Sequence, residues 1–255
     1  MKAGFLFPLL IFFSHISLLP GQADQKEPVA KDMLTPVYYG AGTEDAFRLE
    51  VDRFLEACRK VRFHHPLADD EGNIPDYVIH DWGKFGAGKP PWRSMQHHPA
   101  SDFKVGGGQT EVPLYAAYDG RVTTFRDAPK YRHYLALTKI ITDEDGRELG
   151  KLVTIYGHID LDLNEAAGLL LDGKTVKQGE LVSRHLYSET RGGPHLHFEI
   201  RYYRPGEQGS EEFYGMRMGE ESRRLTEPGA GPWKLGYWDP EIGYGFGHPE
   251  NHGVK

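Results

Sequence analysis

The sequence predicts a mainly β fold, an antiparallel sheet with one N-terminal helix lying outside it. Three observations carry this. From residue 95 onward, short apolar stretches alternate with turn residues, the pattern of brief strands. The chain of 255 residues holds 31 glycines and 17 prolines, an ample supply of turn formers. Sustained helical spacing is clearest in a single segment, residues 43–63.

The elements follow in order. Residues 1–23 read as a signal peptide: Lys2, an apolar run from Gly4 to Phe13, and small residues at Gly21 and Ala23 before a cleavage point. The uninterrupted apolar run of about ten residues is short for a membrane span. Export is therefore expected, with no stable membrane insertion after cleavage; an uncleaved anchor is the other reading. Loss of Lys2 takes the formal charge of −7 to about −8. Residues 24–94 form an N-terminal extension. Its helix at 43–63 begins at Thr43, a capping residue followed by Glu44 and Asp45. Phe47, Val51, Phe54, Leu55, Cys58 and Val61 make its apolar stripe. Cys58 is the only cysteine, so no intramolecular disulfide exists, and it reads as a buried helix residue.

Residues 95–205 carry the strands. Segments 112–118 and 121–126 flank Asp119-Gly120, a two-residue hairpin signal. Segments 134–142 and 151–156 flank the polar turn 143–148, and 175–182 and 195–203 are later strands. Residues 206–255 form a Gly- and aromatic-rich C-terminal extension. Either its rings pack across the sheet, or Trp233, Tyr237 and Trp238 line the end of a groove.

Chemistry-bearing residues fall in three segments. In Gly193-Pro194-His195-Leu196-His197-Phe198-Glu199, a strand places His195 and His197 on one face, where two imidazoles can share a metal or divide metal binding and proton chemistry. His98-Pro99-Ala100-Ser101-Asp102 offers an imidazole and a carboxylate, both good zinc donors. Thr154-Ile155-Tyr156-Gly157-His158 ends a β-branched strand in a histidine. Alone, each could be an ordinary strand or loop segment.

In order and content the three resemble the M23 (lysostaphin/LytM-type) zinc metallopeptidases, over roughly residues 95–203. The resemblance implies that His98, Asp102 and His197 bind one Zn²⁺. It implies that His195 and His158 are catalytic, with the base role given to His195 and the stabilising role to His158. It further implies cleavage of peptide bonds in peptidoglycan stems or cross-bridges, on a sheet forming the floor of a groove with short loops as walls. Ala100 stands where the family has glycine, and Ser188 to Gly192 replace the usual small-residue approach to the last motif. Two other classes remain: a LytM-type module that binds or activates wall hydrolases without catalysis, and a secreted protease acting on proteins.

The balance of 30 basic and 37 acidic residues argues against a nucleic-acid partner. The expected location is exported, periplasmic before fully secreted. The sequence leaves the oligomeric state open. Gly83 to Lys89 matches phosphate-loop spacing, but Pro90 stands where the magnesium-binding hydroxyl belongs. His248 and His252 have i, i+4 spacing, but Pro249 and the flanking glycines read as a mobile tail.

Overall fold

Short strands broken by Gly, Pro and Asp turns assemble into two sheets. The structure, a computed structural model, describes residues 37–38, 45–80, 100–128, 131–203, 205, 237–239, 244–247 and 249–254. The expected signal segment 1–23, the loop 83–89, His98 and Trp233 lie outside the described residues.

The strands are β1 (Val37–Tyr38), β2 (Tyr77–His80), β3 (Ala100–Val105), β4 (Glu111–Tyr115), β5 (Gly120–Ala128), β6 (Arg132–Thr142), β7 (Glu148–Gly157), β8 (Thr175–Val176), β9 (Leu181–His185), β10 (Leu196–Tyr203), β11 (Tyr237–Asp239) and β12 (Tyr244–Gly247). The helices are α1 (Asp45–Arg59) and α2 (Leu161–Ala166), and a 3-10 turn spans Pro249–His252. Ten strands form one sheet in the order β1-β11-β12-β10-β7-β6-β5-β8, with β3 beside β10 and β2 beside β3; β4 and β9 form a second, two-stranded sheet. Among the described pairings only β1–β11 is parallel.

Strand β10 is buried along its whole length. Its alternation divides two chemistries between the faces. Leu196, Phe198, Ile200 and Tyr202 enter the apolar core together with Phe54, Leu55 and Cys58 of α1. The helix thus packs outside the sheet as expected, with Asp52, Arg53, Glu56 and Arg59 exposed. Each fully buried Leu, Ile or Phe contributes roughly 1.5–3 kcal/mol. His197, Glu199 and Arg201 alternate with the core residues, which places them on the opposite face, where all three are buried.

One edge of β10 is shared between two distant segments. Leu196 to Glu199 pair with Phe103 to Ala100 of β3, and Ile200 to Tyr203 pair with Gly247 to Tyr244 of β12. The C-terminal extension therefore completes the sheet where β3 ends.

Several local expectations give way to longer-range bonds. Segments β4 and β5 do not form a hairpin but lie in different sheets. The carboxylate of Asp119 instead accepts from the Gln178 amide at 2.8 Å and the Lys177 ammonium at 3.2 Å. Gly120 is needed for close approach, since a Cβ there would sit 2.8 Å from the Thr138 carbonyl oxygen. The predicted strand 175–182 divides into β8 and β9 around a turn holding Gly179 at φ 80°. Helix α1 stops at Arg59 because the amides of Lys60 and Val61 close tighter bonds to Ala57 and Cys58, and that of Phe63 leaves for the His252 carbonyl.

His252 is not in a mobile tail. It is fully buried, with its ring stacked on Phe63 at 4.1 Å. Its Nδ1–H donates to the Val61 carbonyl at 3.1 Å, and its Nε2 accepts from the Tyr202 hydroxyl at 3.0 Å. Both ring nitrogens are thereby engaged within the protein.

Candidate metal centre

The register of β10 assembles the centre. His197 lies opposite Asp102 of β3 on one side and Gly157 of β7 on the other. Residues facing one another across a sheet share a face, so the carboxylate and the imidazole meet. His197 Nδ1 is 3.2 Å from Asp102 Oδ1. His195, immediately before β10, places Nε2 3.5 Å from Asp102 Oδ2. Gly157 makes room between them: a Cβ there would lie 2.9 Å from the Tyr131 ring and 3.2 Å from His197 Cβ.

His158 follows β7 directly. Its φ of 61° is one of two positive values at non-glycine residues among the described residues, the other being Arg132 at 64°. Such backbone is costly for a residue with a Cβ and clusters at functional sites. The turn brings the His158 ring to 4.8 Å from that of His195 and 5.7 Å from that of His197. Four of the five residues singled out from the sequence, Asp102, His158, His195 and His197, are therefore together. His98 lies outside the described residues.

Each imidazole is held by a specific bond. His195 Nδ1–H donates to the Gly193 carbonyl at 2.8 Å, which leaves its Nε2 toward Asp102. His158 Nδ1–H donates to the Tyr131 carbonyl at 3.2 Å. His197 Nε2–H donates to Glu199 Oε2 at 3.3 Å, which leaves Nδ1 toward Asp102. Glu199 is fully buried and also accepts from Arg201 Nε at 2.9 Å and from the Tyr131 hydroxyl at 2.9 Å.

The electrostatics follow. Burial alone would lower the His197 pKa, but the Asp102 and Glu199 carboxylates outweigh it and raise it to about 9. Burial would likewise raise Glu199, yet Arg201 and His197 bring it down to about 2. For His158, burial first and then the neighbouring His197 and His195 push the pKa down to about 3, so the ring is neutral at physiological pH. A metal taking His197 Nδ1 must displace a proton there.

The donor set fits zinc. Bonds of about 2.0–2.2 Å to nitrogen and oxygen in a tetrahedral site set neighbouring ligand atoms about 3.3–3.6 Å apart. The 3.2 Å between His197 Nδ1 and Asp102 Oδ1 is close to that edge. The carboxylate behind His197 is the usual support of a metal-binding imidazole.

Tyr131 and Arg201 were not singled out from the sequence, and Glu199 was noted only as part of a motif. Glu199 and Arg201 continue the period-two face of His197, a signal present in the sequence. Tyr131 has no local signal, because its role comes from pairing between remote strands. His133, Asp160 and Asp162 form a separate cluster with ligand atoms within 4.8 Å of one another. There Leu161 N–H donates to His133 Nδ1, Leu163 N–H to Asp160 Oδ1, and Arg126 pairs with Asp162. The first two bonds satisfy the free amides at the start of α2, with Asp160 as its N-cap.

Comparison with known proteins gives one family. The sequence model of peptidase family M23 matches residues 96–210. Solved structures that match part of the chain include a zinc-containing peptidase from Vibrio cholerae (23% identity, TM-score 0.37, 55% of this chain and 36% of that one). Helicobacter pylori Csd3 has 21% identity and a TM-score of 0.34 over 56% of this chain and 32% of its own. The antimicrobial peptidase lysostaphin from Staphylococcus simulans has 18% identity and a TM-score of 0.36 over 55% and 48%. The chain spans less than half the length of each. No curated protein matches the sequence.

Proposed function

We propose, from the match of residues 96–210 to the model of peptidase family M23, that this chain is an exported zinc-dependent endopeptidase of that family, cleaving peptide bonds in peptidoglycan stems or cross-bridges. The observation that carries the reading is the convergence of His197 Nδ1 and His195 Nε2 on the two oxygens of Asp102, at 3.2 and 3.5 Å, with His158 alongside.

In this reading His98, Asp102 and His197 hold one zinc ion. When bound, zinc supplies Lewis acidity, acidifying a water and polarising the scissile carbonyl. The chain's own groups do the rest. His195, with Nδ1–H committed to Gly193, offers the lone pair of Nε2 as the base for the attacking water. It then returns that proton to the leaving amine. His158 has its Nδ1–H committed to Tyr131. Its Nε2 therefore acts as an acceptor, and the neutral ring would exert its stabilising role by orienting the attacking water beside His195. Glu199 keeps His197 in the orientation that presents Nδ1.

Digestion of purified peptidoglycan, with casein in parallel and with product masses measured, tests the proposal. Peptide fragments should be released from peptidoglycan, stop with chelator and return with zinc. Zinc-dependent cleavage of casein alone would indicate a secreted protease. No cleavage of either, with zinc bound, would indicate a non-catalytic wall module. His195→Ala and His158→Ala should each keep zinc and lose about 100-fold or more in turnover.

A further inference from the structure

Tyr131 lies outside the motif residues, yet it touches both working histidines. Its side chain is buried at 3% exposure, and its ring lies 4.9 Å from that of His197 and 5.2 Å from that of Tyr134. Its hydroxyl donates to Glu199 Oε2 at 2.9 Å, the same oxygen that accepts from His197 Nε2–H at 3.3 Å. Its backbone carbonyl accepts from His158 Nδ1–H at 3.2 Å. Among the described residues, the two non-glycine residues with positive φ, Arg132 and His158, are its chain neighbour and its hydrogen-bond partner. The backbone is thus bent on both sides of this one contact.

We propose that Tyr131 is a positioning residue that sets the working tautomer of two histidines at once: through Glu199 for His197, and through its own carbonyl for His158. The proposal rests on the zinc reading above. Glu199 has two oxygens to place. Arg201 Nε fixes Oε1 at 2.9 Å, and the Tyr131 hydroxyl fixes Oε2. With both oxygens held, the carboxylate stays in line with His197 Nε2–H, and Nδ1 remains the nitrogen offered to a metal. An imidazole free to place its proton on Nδ1 would present a donor where a ligand is needed. On the other side, a carbonyl accepts and never donates, so His158 must carry its proton on Nδ1 and direct a lone pair from Nε2. Tyr131 therefore couples the metal ligand to the proton-handling pair, although it reaches the centre only through other residues.

The test compares the wild-type chain with Tyr131→Phe, Glu199→Gln and the double variant. It measures zinc affinity by competition with a chromophoric chelator, and the ring protonation of His197 and His158 by ¹⁵N NMR of the zinc-loaded protein. Tyr131→Phe keeps the ring packing and removes only the donor. Its zinc affinity should fall about 10-fold or more, with His197 no longer held in one ring state and the His158 Nδ1–H signal unchanged. Because Tyr131 acts through Glu199, the double variant should bind zinc no more weakly than Glu199→Gln alone. Two independent structural losses would instead add. Unchanged zinc affinity in Tyr131→Phe, additive losses in the double variant, or a wild-type His158 protonated on Nε2 would each overturn the proposal. A wild-type chain that takes up no zinc would overturn the metal reading itself and this role with it, a distinct result visible before any variant is made.

Discussion

Gly157 and His252 show how single residues hold the two faces of the sheet. A methyl group on Gly157 would press on the Tyr131 ring at 2.9 Å and on His197 at 3.2 Å. Neither neighbour is a flexible chain end, so the ring of Tyr131 or the strand must shift. Gly157→Ala should cost about 1–3 kcal/mol of stability and weaken zinc binding, both measurable by denaturant unfolding and chelator competition. Unchanged zinc affinity would show that the row Asp102–His197–Gly157 tolerates displacement. His252 makes a prediction in pH. Burial lowers its pKa to about 4, against 6.5 for the free ring. The unfolded chain therefore takes up this proton first as pH falls. Its contribution to stability is complete above about 6.5 and is lost progressively between 6.5 and 4, on the order of 3 kcal/mol. Replacing His252 with Gln should flatten that part of the pH–stability curve of the metal-free protein. An identical slope in the variant would remove His252 as the cause.

At the scale of elements, β10 is legible in the sequence because both of its faces announce themselves. His195, His197, Glu199 and Arg201 fall at alternate positions, with Phe198, Ile200 and Tyr202 between them. Its partners are less legible. Asp119-Gly120 has the sequence of a hairpin, but the Asp119 carboxylate is drawn to residues 177 and 178, and β4 goes to another sheet. Tyr131 and His252 act through contacts with residues 68 and 50 positions away, which no local pattern encodes. The strands of the C-terminal extension are likewise defined only by pairing. Strand β12 covers Ile200 to Tyr203, and the turn beyond it brings His252 against Val61 and Phe63. Deleting residues 237–255 should therefore lower the melting temperature clearly and expose an apolar strand edge prone to association. Zinc should stay bound, because Asp102 and His197 lie on the half of β10 that β3 covers. A truncated chain with unchanged melting temperature would mean that the extension contributes nothing to the sheet.

Across the whole molecule, the main sheet separates stability from chemistry. One face, with α1 and the β4–β9 sheet, holds the apolar core; the other carries the buried His197, Glu199 and Arg201. The folded state therefore has an apolar core of its own. Chelation should leave the chain folded, with a fall in melting temperature that depends on zinc concentration in the manner of a bound ligand. Unfolding on chelation would assign the metal a structural role instead. In the proposed function, the β3–β10 row builds a zinc centre. Metal analysis of the purified protein beside Asp102→Ala and His197→Ala tests it most directly. The wild-type chain should carry about one zinc, as in a catalytic site with three protein ligands, and each variant should lose most of it while keeping the fold. Full zinc retained by folded His197→Ala would contradict it.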